Sequence, residues 1–150
     1  MSQLLVAAFY AFVPLEQGQR EMLLERLPIL AGEGKVLGSV LVADEGVNGT
    51  ISGPQPAVEA LLEQLRQSLQ LGDSHYERLE VKRSWADQPV FRRFKARRKK
   101  EIVTIGDGGV NPRASVGTYV DPKDWNALVD DPETLVIDTR NSYETAIGTF

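Results

Sequence analysis

Apolar residues follow one another along this chain in a fixed succession of periods, and that succession restricts the folds open to it. Leu4 to Val13 (LLVAAFYAFV) is a continuous apolar and aromatic run and reads as a buried strand. From Glu16 to Leu27 the period becomes helical, with Met22, Leu23 and Leu27 on one face. Pro28 lacks an N–H and crowds the preceding turn, so it is expected to end or kink that helix, with Gly32 and Gly34 making the turn. Lys35 to Ala43 is a second strand. Asp44 to Gly49 is a turn-rich link in which Asn48-Gly49 is itself a turn signal. Thr50 to Ser52 continues as a third strand, paired with the second as a hairpin. Pro54 to Leu69 places Val58, Leu61, Leu62, Leu65 and Leu69 at helical spacing. Arg78 to Ser84 alternates Leu79 and Val81 with Arg78, Glu80 and Lys82, the pattern of a half-exposed fourth strand.

The order β-α-β-β-α-β is the split βαβ, ferredoxin-like arrangement of an α+β fold. Its two helices cover one face of the sheet and leave the other face or an edge open. Residues 1–84 are expected to form this domain, a size sufficient for a modest core. The apolar content of 42% is that of a globular chain.

Charge is segregated. From Lys82 to Lys100 there are nine Lys or Arg and one acid, Asp87, a net +8; the whole chain is −4, so the remainder carries −12. A basic stripe within an acidic protein is an electrostatic footprint for a polyanion. The competing reading is a strand edge guarded by cations against aggregation. The stripe interleaves Phe91 and Phe94 with Arg92, Arg93, Lys95, Arg97, Arg98, Lys99 and Lys100. In an extended conformation Arg93, Lys95, Arg97 and Lys99 share one side while Phe94 and Ala96 point to the other. Cations meet phosphates, so the seven basic residues are candidate nucleic-acid ligands; the two rings read as core rather than as base-stacking groups. Residues 85–112 are expected to be this arm and a linker, with Glu101 to Ile105 strand-like and Gly106 to Pro112 (GDGGVNP) turning.

Residues 113–150 open a second pattern. Val116 to Val120 reads as a short strand and Pro122 to Val129 as a helix with proline in its first turn. Leu135 to Arg140 reads as a buried strand, and a new helical pattern begins at Tyr143. Asp138 and Arg140 would stand at the carboxyl end of that strand, the usual ligand side of an open α/β sheet. One such strand needs neighbours for its backbone groups and its apolar face. The chain is therefore expected to be the front part of a longer protein.

Several chemistries lack their residues. There is no cysteine, so disulfides, thiolate metal sites and a cysteine nucleophile are excluded within these residues. The one histidine, His75, reads as a loop residue and no metal site is expected. No apolar run approaches the ~20 residues that span a bilayer. Met1 to Phe12 has neither a basic n-region nor a small-residue cleavage site, so it reads as a strand and not as a signal peptide. The loop Asp44 to Gly49 carries two carboxylates, and the hairpin connection is the favoured reading over a ligand loop.

Five stretches together carry a resemblance. They are Phe9 to Val13; Leu41 to Gly53 (LVADEGVNGTISG); Lys99 to Val103; Val116 to Val120 with Trp125-Asn126; and Ile137 to Glu144 with Ile147 to Phe150. In this order, over nearly the whole chain, they resemble the rhodanese-domain tRNA uridine hydroxylases, which are bacterial and cytosolic. The resemblance implies an acylphosphatase-like version of the ferredoxin-like domain, followed by the truncated start of a rhodanese-like α/β domain. It implies oxygen-dependent conversion of the wobble uridine of tRNA to 5-hydroxyuridine in the cytoplasm. Molecular oxygen would be co-substrate and the tRNA anticodon arm the partner, with no cofactor visible and no membrane. The family's catalytic cysteine is expected beyond Phe150, so no catalytic residue is assigned in this chain. Asp138 and Arg140 would have only a supporting role. The rival activities are rhodanese-type sulfur transfer and, for these residues alone, non-catalytic RNA binding. Acylphosphatase activity is disfavoured, because Pro14 to Gln19 does not resemble an arginine-bearing phosphate loop.

Overall fold

The computed structural model describes residues 3–71, 78–102 and 117–149. The chain divides into two compact units, Met1–Ala114 and Ser115–Phe150.

In the first unit, β1 (Leu4–Phe12), α1 (Gln17–Gly34), β2 (Leu37–Ala43), β3 (Gly46–Gly53), α2 (Gln55–Leu69), β4 (Glu80–Ala86) and β5 (Phe94–Arg98) follow in order. The strands form one sheet in the order β4-β1-β3-β2-β5. β1 is antiparallel to both β3 and β4, and β2 is antiparallel to β3. β5 runs parallel to β2 and forms an edge of the sheet. The ferredoxin-like order is therefore present, and the sheet continues past residue 84 by one strand.

That fifth strand contains part of the expected arm. Phe94 and Ala96 pack against the core while Arg97 and Arg98 stay exposed. Alternation of apolar and basic residues lets the segment bury one side, and the open edge of β2 supplies its hydrogen-bond partners. Both ends are tied to β2: the Gly38 N–H donates to the Arg93 carbonyl at 3.1 Å, and the Lys99 N–H to the Val42 carbonyl at 2.9 Å.

The core lies between the sheet and its two helices. Leu5, Ala7, Phe9 and Ala11 of β1 meet Leu23, Leu27 and Ala31 of α1 and the apolar stripe of α2. All five α2 positions read from spacing (Val58, Leu61, Leu62, Leu65 and Leu69) are buried. Such side chains each contribute roughly 1.5–3 kcal/mol when fully buried. β1 is not buried on both faces, as its apolar run suggests; Ala8 and Tyr10 are exposed on the face away from the helices.

Two breakers act differently from expectation. Pro28 lies inside α1, which continues to Gly34. The ring is exposed, and the next turn buries Ala31, so core contact outweighs the lost hydrogen bond. The helix ends where Lys35 takes a left-handed φ of 55°. There the Val36 N–H donates to the Ala31 carbonyl at 2.8 Å and the Lys35 N–H to the Gly32 carbonyl at 3.3 Å. Likewise Asn48-Gly49 is not a turn but lies within β3; the hairpin turn is Asp44-Glu45. Glycine at 49 makes room: a Cβ there would stand 2.7 Å from the Ser39 carbonyl oxygen and 2.8 Å from the Phe9 ring.

In the second unit, α3 (Pro122–Val129) and the short α4 (Ser142–Thr145) are formed. The expected strand Leu135 to Arg140 is not: residues 134–139 carry no regular structure, and Leu135 and Ile137 are 83% and 71% exposed. A strand needs a paired neighbour for its N–H and C=O groups, and among the described residues of this unit none is formed. Residues 117–120 likewise carry no strand. His75, the Gly106 to Pro112 linker, residues 103–105 of the strand expected at 101–105, and Val116 lie outside the described residues.

Candidate nucleic-acid interface

Register assigns each basic residue of the stripe to a side of the sheet. Lys95 stands beside Ser39 and Arg97 beside Leu41, on the face without helices. Arg98 stands beside Val42, on the helix side. Arg92 and Arg93 precede the strand, and Lys99 and Lys100 follow it, all exposed. Thus β5 brings Lys95 and Arg97 together on one face, flanked by Arg93 and Lys99, and separates Arg98 from them.

The electrostatics of this edge differ from those around four other arginines of the unit. Arg20, Arg66, Arg78 and Arg83 each have a carboxylate partner: Asp44, Glu63, Glu80 and Glu59. Among the described residues, none of the seven basic residues from Arg92 to Lys100 has one. Desolvation, then the like charges of Arg93 and Arg97, push the Lys95 ammonium below its ordinary range. Cations crowded without counter-charge are relieved by an incoming polyanion.

The two carboxylates of the hairpin turn are structural. Asp44 pairs with the buried Arg20 at 3.0 Å, and Arg20 also donates to the Leu15 carbonyl. Glu45 accepts the Ile102 N–H at 2.5 Å, which fastens the chain leaving β5 to the β2–β3 turn. The Leu15 N–H, in the β1–α1 connection, donates to the Asp44 carbonyl at 2.9 Å.

In the second unit Asp138 and Arg140 form a closed ion pair. Arg140 Nε lies 2.9 Å from Asp138 Oδ1 and Nη2 lies 2.5 Å from Oδ2. Thr149 Oγ1 donates to the same carboxylate at 3.1 Å, and Arg140 donates to the Gly148 carbonyl at 2.9 Å. The Arg140 side chain, then its backbone N–H, hold the Asp138 carboxyl well below the usual carboxylate range. The pair thus ties residues 138–140 to residues 148–149. Trp125, Leu128, Leu135 and Ile137 line an open depression of about 370 Å³ beside it. Among the described residues no three potential metal ligands converge, and no helix is long and apolar enough to cross a membrane.

The helix-free face holds residues that the sequence reading passed over. Tyr10 of β1 pairs with Asn48 of β3, and Ala8 with Thr50. The signal was the alternation within LLVAAFYAFV, where the core takes only the odd-numbered positions from Leu5 to Ala11.

The chain is similar in sequence to known proteins. Residues 4–102 match the family model described as UPF0176 acylphosphatase like domain. The chain is 74% identical over 150 residues to a protein of Parasynechococcus marenigrum (strain WH8102) named tRNA uridine(34) hydroxylase, covering all of this chain and 47% of that one. A protein of the same name from Prochlorococcus marinus (strain MIT 9303) is 52% identical over 145 residues, 97% of this chain and 45% of that one. The chain therefore spans about half the length of the curated relatives it matches. Among solved structures, the acylphosphatase from Bacillus subtilis aligns with a TM-score of 0.43 at 19% identity, covering 62% of this chain and 97% of that one.

Proposed function

Because this chain belongs to the UPF0176 acylphosphatase-like domain family, we propose that it is the tRNA-positioning part of an enzyme that hydroxylates the wobble uridine of tRNA to 5-hydroxyuridine. The observation that carries this reading is the 74% identity, over the whole chain, to a protein named tRNA uridine(34) hydroxylase. The cation-rich edge at β5 supports it, since a polyanionic substrate needs such a surface.

In this reading Arg92, Arg93, Lys95, Arg97, Arg98, Lys99 and Lys100 supply phosphate contacts to the anticodon arm. Residues 113–150 open a rhodanese-like domain that is completed by further polypeptide. Leu135 and Ile137, exposed here, would then be covered as their strand gains neighbours. The reactive cysteine belongs to that further polypeptide, and Asp138 with Arg140 supports the domain through its ion pair. Molecular oxygen is the co-substrate, and the reaction takes place in the cytoplasm.

The test uses the longer protein with unmodified tRNA, under air and under nitrogen, followed by nucleoside mass spectrometry. The reading requires 5-hydroxyuridine at the wobble position under air alone. Equal modification in both atmospheres, or none in either, would contradict it.

A further inference from the structure

We propose that the helix-free face of the sheet is a platform for unpaired RNA bases, on which Tyr10 stacks a base and Lys95 and Arg97 hold the neighbouring phosphates. The inference deepens the tRNA reading above and rests on it.

The face is built by register. β1, β3, β2 and β5 lie side by side, and Tyr10 stands in one cross-strand row with Asn48, Leu41 and Arg97. The next row holds Thr50, Ser39 and Lys95. Strand spacing sets Tyr10 about 14 Å from Arg97 along its row. An aromatic ring, a band of amide and hydroxyl groups, and two cations thus succeed one another across the sheet.

Each part suits a nucleotide. Tyr10 is 38% exposed, and Phe12 packs against it edge to face, with ring centroids 6.0 Å apart, which steadies the ring. A steadied, exposed ring offers stacking surface to any base. Asn48 has both donor and acceptor atoms, and Thr50 and Ser39 have hydroxyls, so the band can meet base edges. Lys95 and Arg97 have no carboxylate partner among the described residues, and the Arg93 cation adds to theirs. Glu80, the register partner of Tyr10 on β4, is paired with Arg78. Sheets with exposed aromatics on a helix-free face are a recurrent way to bind single-stranded RNA. Charge complementarity favours RNA over a protein partner.

The test measures affinity of this chain for a labelled anticodon stem–loop RNA and for a duplex RNA of equal length. Wild type is expected to prefer the stem–loop. Tyr10→Ala should lose roughly tenfold in stem–loop affinity, while Tyr10→Phe, which keeps the ring, should bind as wild type. Circular dichroism melts confirm that the variants are folded. Ultraviolet crosslinking of wild type to the stem–loop, mapped by mass spectrometry, needs no variant; it should mark Tyr10 or its neighbours on β1 and β3. Wild-type binding by folded Tyr10→Ala, equal affinity for duplex, or crosslinks confined to other surfaces would overturn the platform. In those cases salt-dependent tRNA binding would persist and the hydroxylase reading would stand. Failure of wild type to bind either RNA at low salt would overturn the platform and the tRNA-positioning role together.

Discussion

Arg83 on β4 grips Glu59 on α2 through two parallel hydrogen bonds, Nε to Oε1 at 2.8 Å and Nη2 to Oε2 at 3.0 Å. The pair fastens α2 to an edge strand of the sheet. The Arg83 hydrogen bond, ahead of its Coulombic attraction, lowers the Glu59 carboxyl from its ordinary value.

Because the folded-state value is depressed, the stabilisation is present above the unfolded carboxylate range. It is lost as pH falls through the lowered folded value, which lies below the ordinary glutamate range. Both side chains are more than a third exposed, so solvent screening holds the effect of Glu59→Gln below ~1 kcal/mol at neutral pH. Urea unfolding of wild type and Glu59→Gln across the acid range checks this: the gap between them should narrow as the solution is acidified.

Gly46→Ala should destabilise far more. Gly46 opens β3 with a φ of +141°, where a side chain is strained, and a Cβ there would stand 1.9 Å from the Ala11 carbonyl oxygen. Left-handed strain and overpacking each cost about 1–3 kcal/mol. A loss of roughly 3 kcal/mol or more is expected in denaturant unfolding, and a loss within ~0.5 kcal/mol would contradict the backbone contact.

The pattern of what was legible in the sequence has physical causes. The α2 stripe could be read because a helix on a sheet buries one side, and Val58 to Leu69 keep that period without interruption. The order of β1, α1, the hairpin, α2 and β4 followed from the same reasoning. Pro28 and Asn48-Gly49 misled because their local signals are weaker than tertiary contact: Ala31 is buried one turn beyond the proline, and Gly49 leaves space for the Phe9 ring. The basic residues of the interface were visible as a charge run, and their alternation with Phe94 and Ala96 gave the two sides. What periodicity could not give was the neighbour. That β5 lies parallel to β2, and so shares a face with Tyr10 three strands away, is a long-range fact. The apolar character of Leu135 to Arg140 was likewise legible, while its pairing depended on strands not formed in the described second unit.

Asp138→Asn should loosen the end of the second unit. The carboxylate receives bonds from Arg140 and Thr149, and its acidity is strengthened chiefly by the Arg140 side chain. Its folded value is depressed, so the tie holds above the unfolded aspartate range and weakens only as pH falls through the lowered value. Limited trypsin digestion at neutral pH should cut after Arg140 sooner in Asp138→Asn than in wild type. Equal cutting rates would show that the ion pair does not restrain this segment.

The central claim is that β5 presents a cationic edge to tRNA, and its salt dependence tests that claim most directly. The association constant of this chain for tRNA is measured over a series of salt concentrations for wild type and for the triple variant Arg93→Gln, Lys95→Gln, Arg97→Gln. Each phosphate contact to single-stranded RNA contributes about 0.7 to the slope of log affinity against log salt. The account expects the triple variant to bind more weakly and its slope to be shallower by about two. Identical slopes and affinities in the two proteins would contradict it.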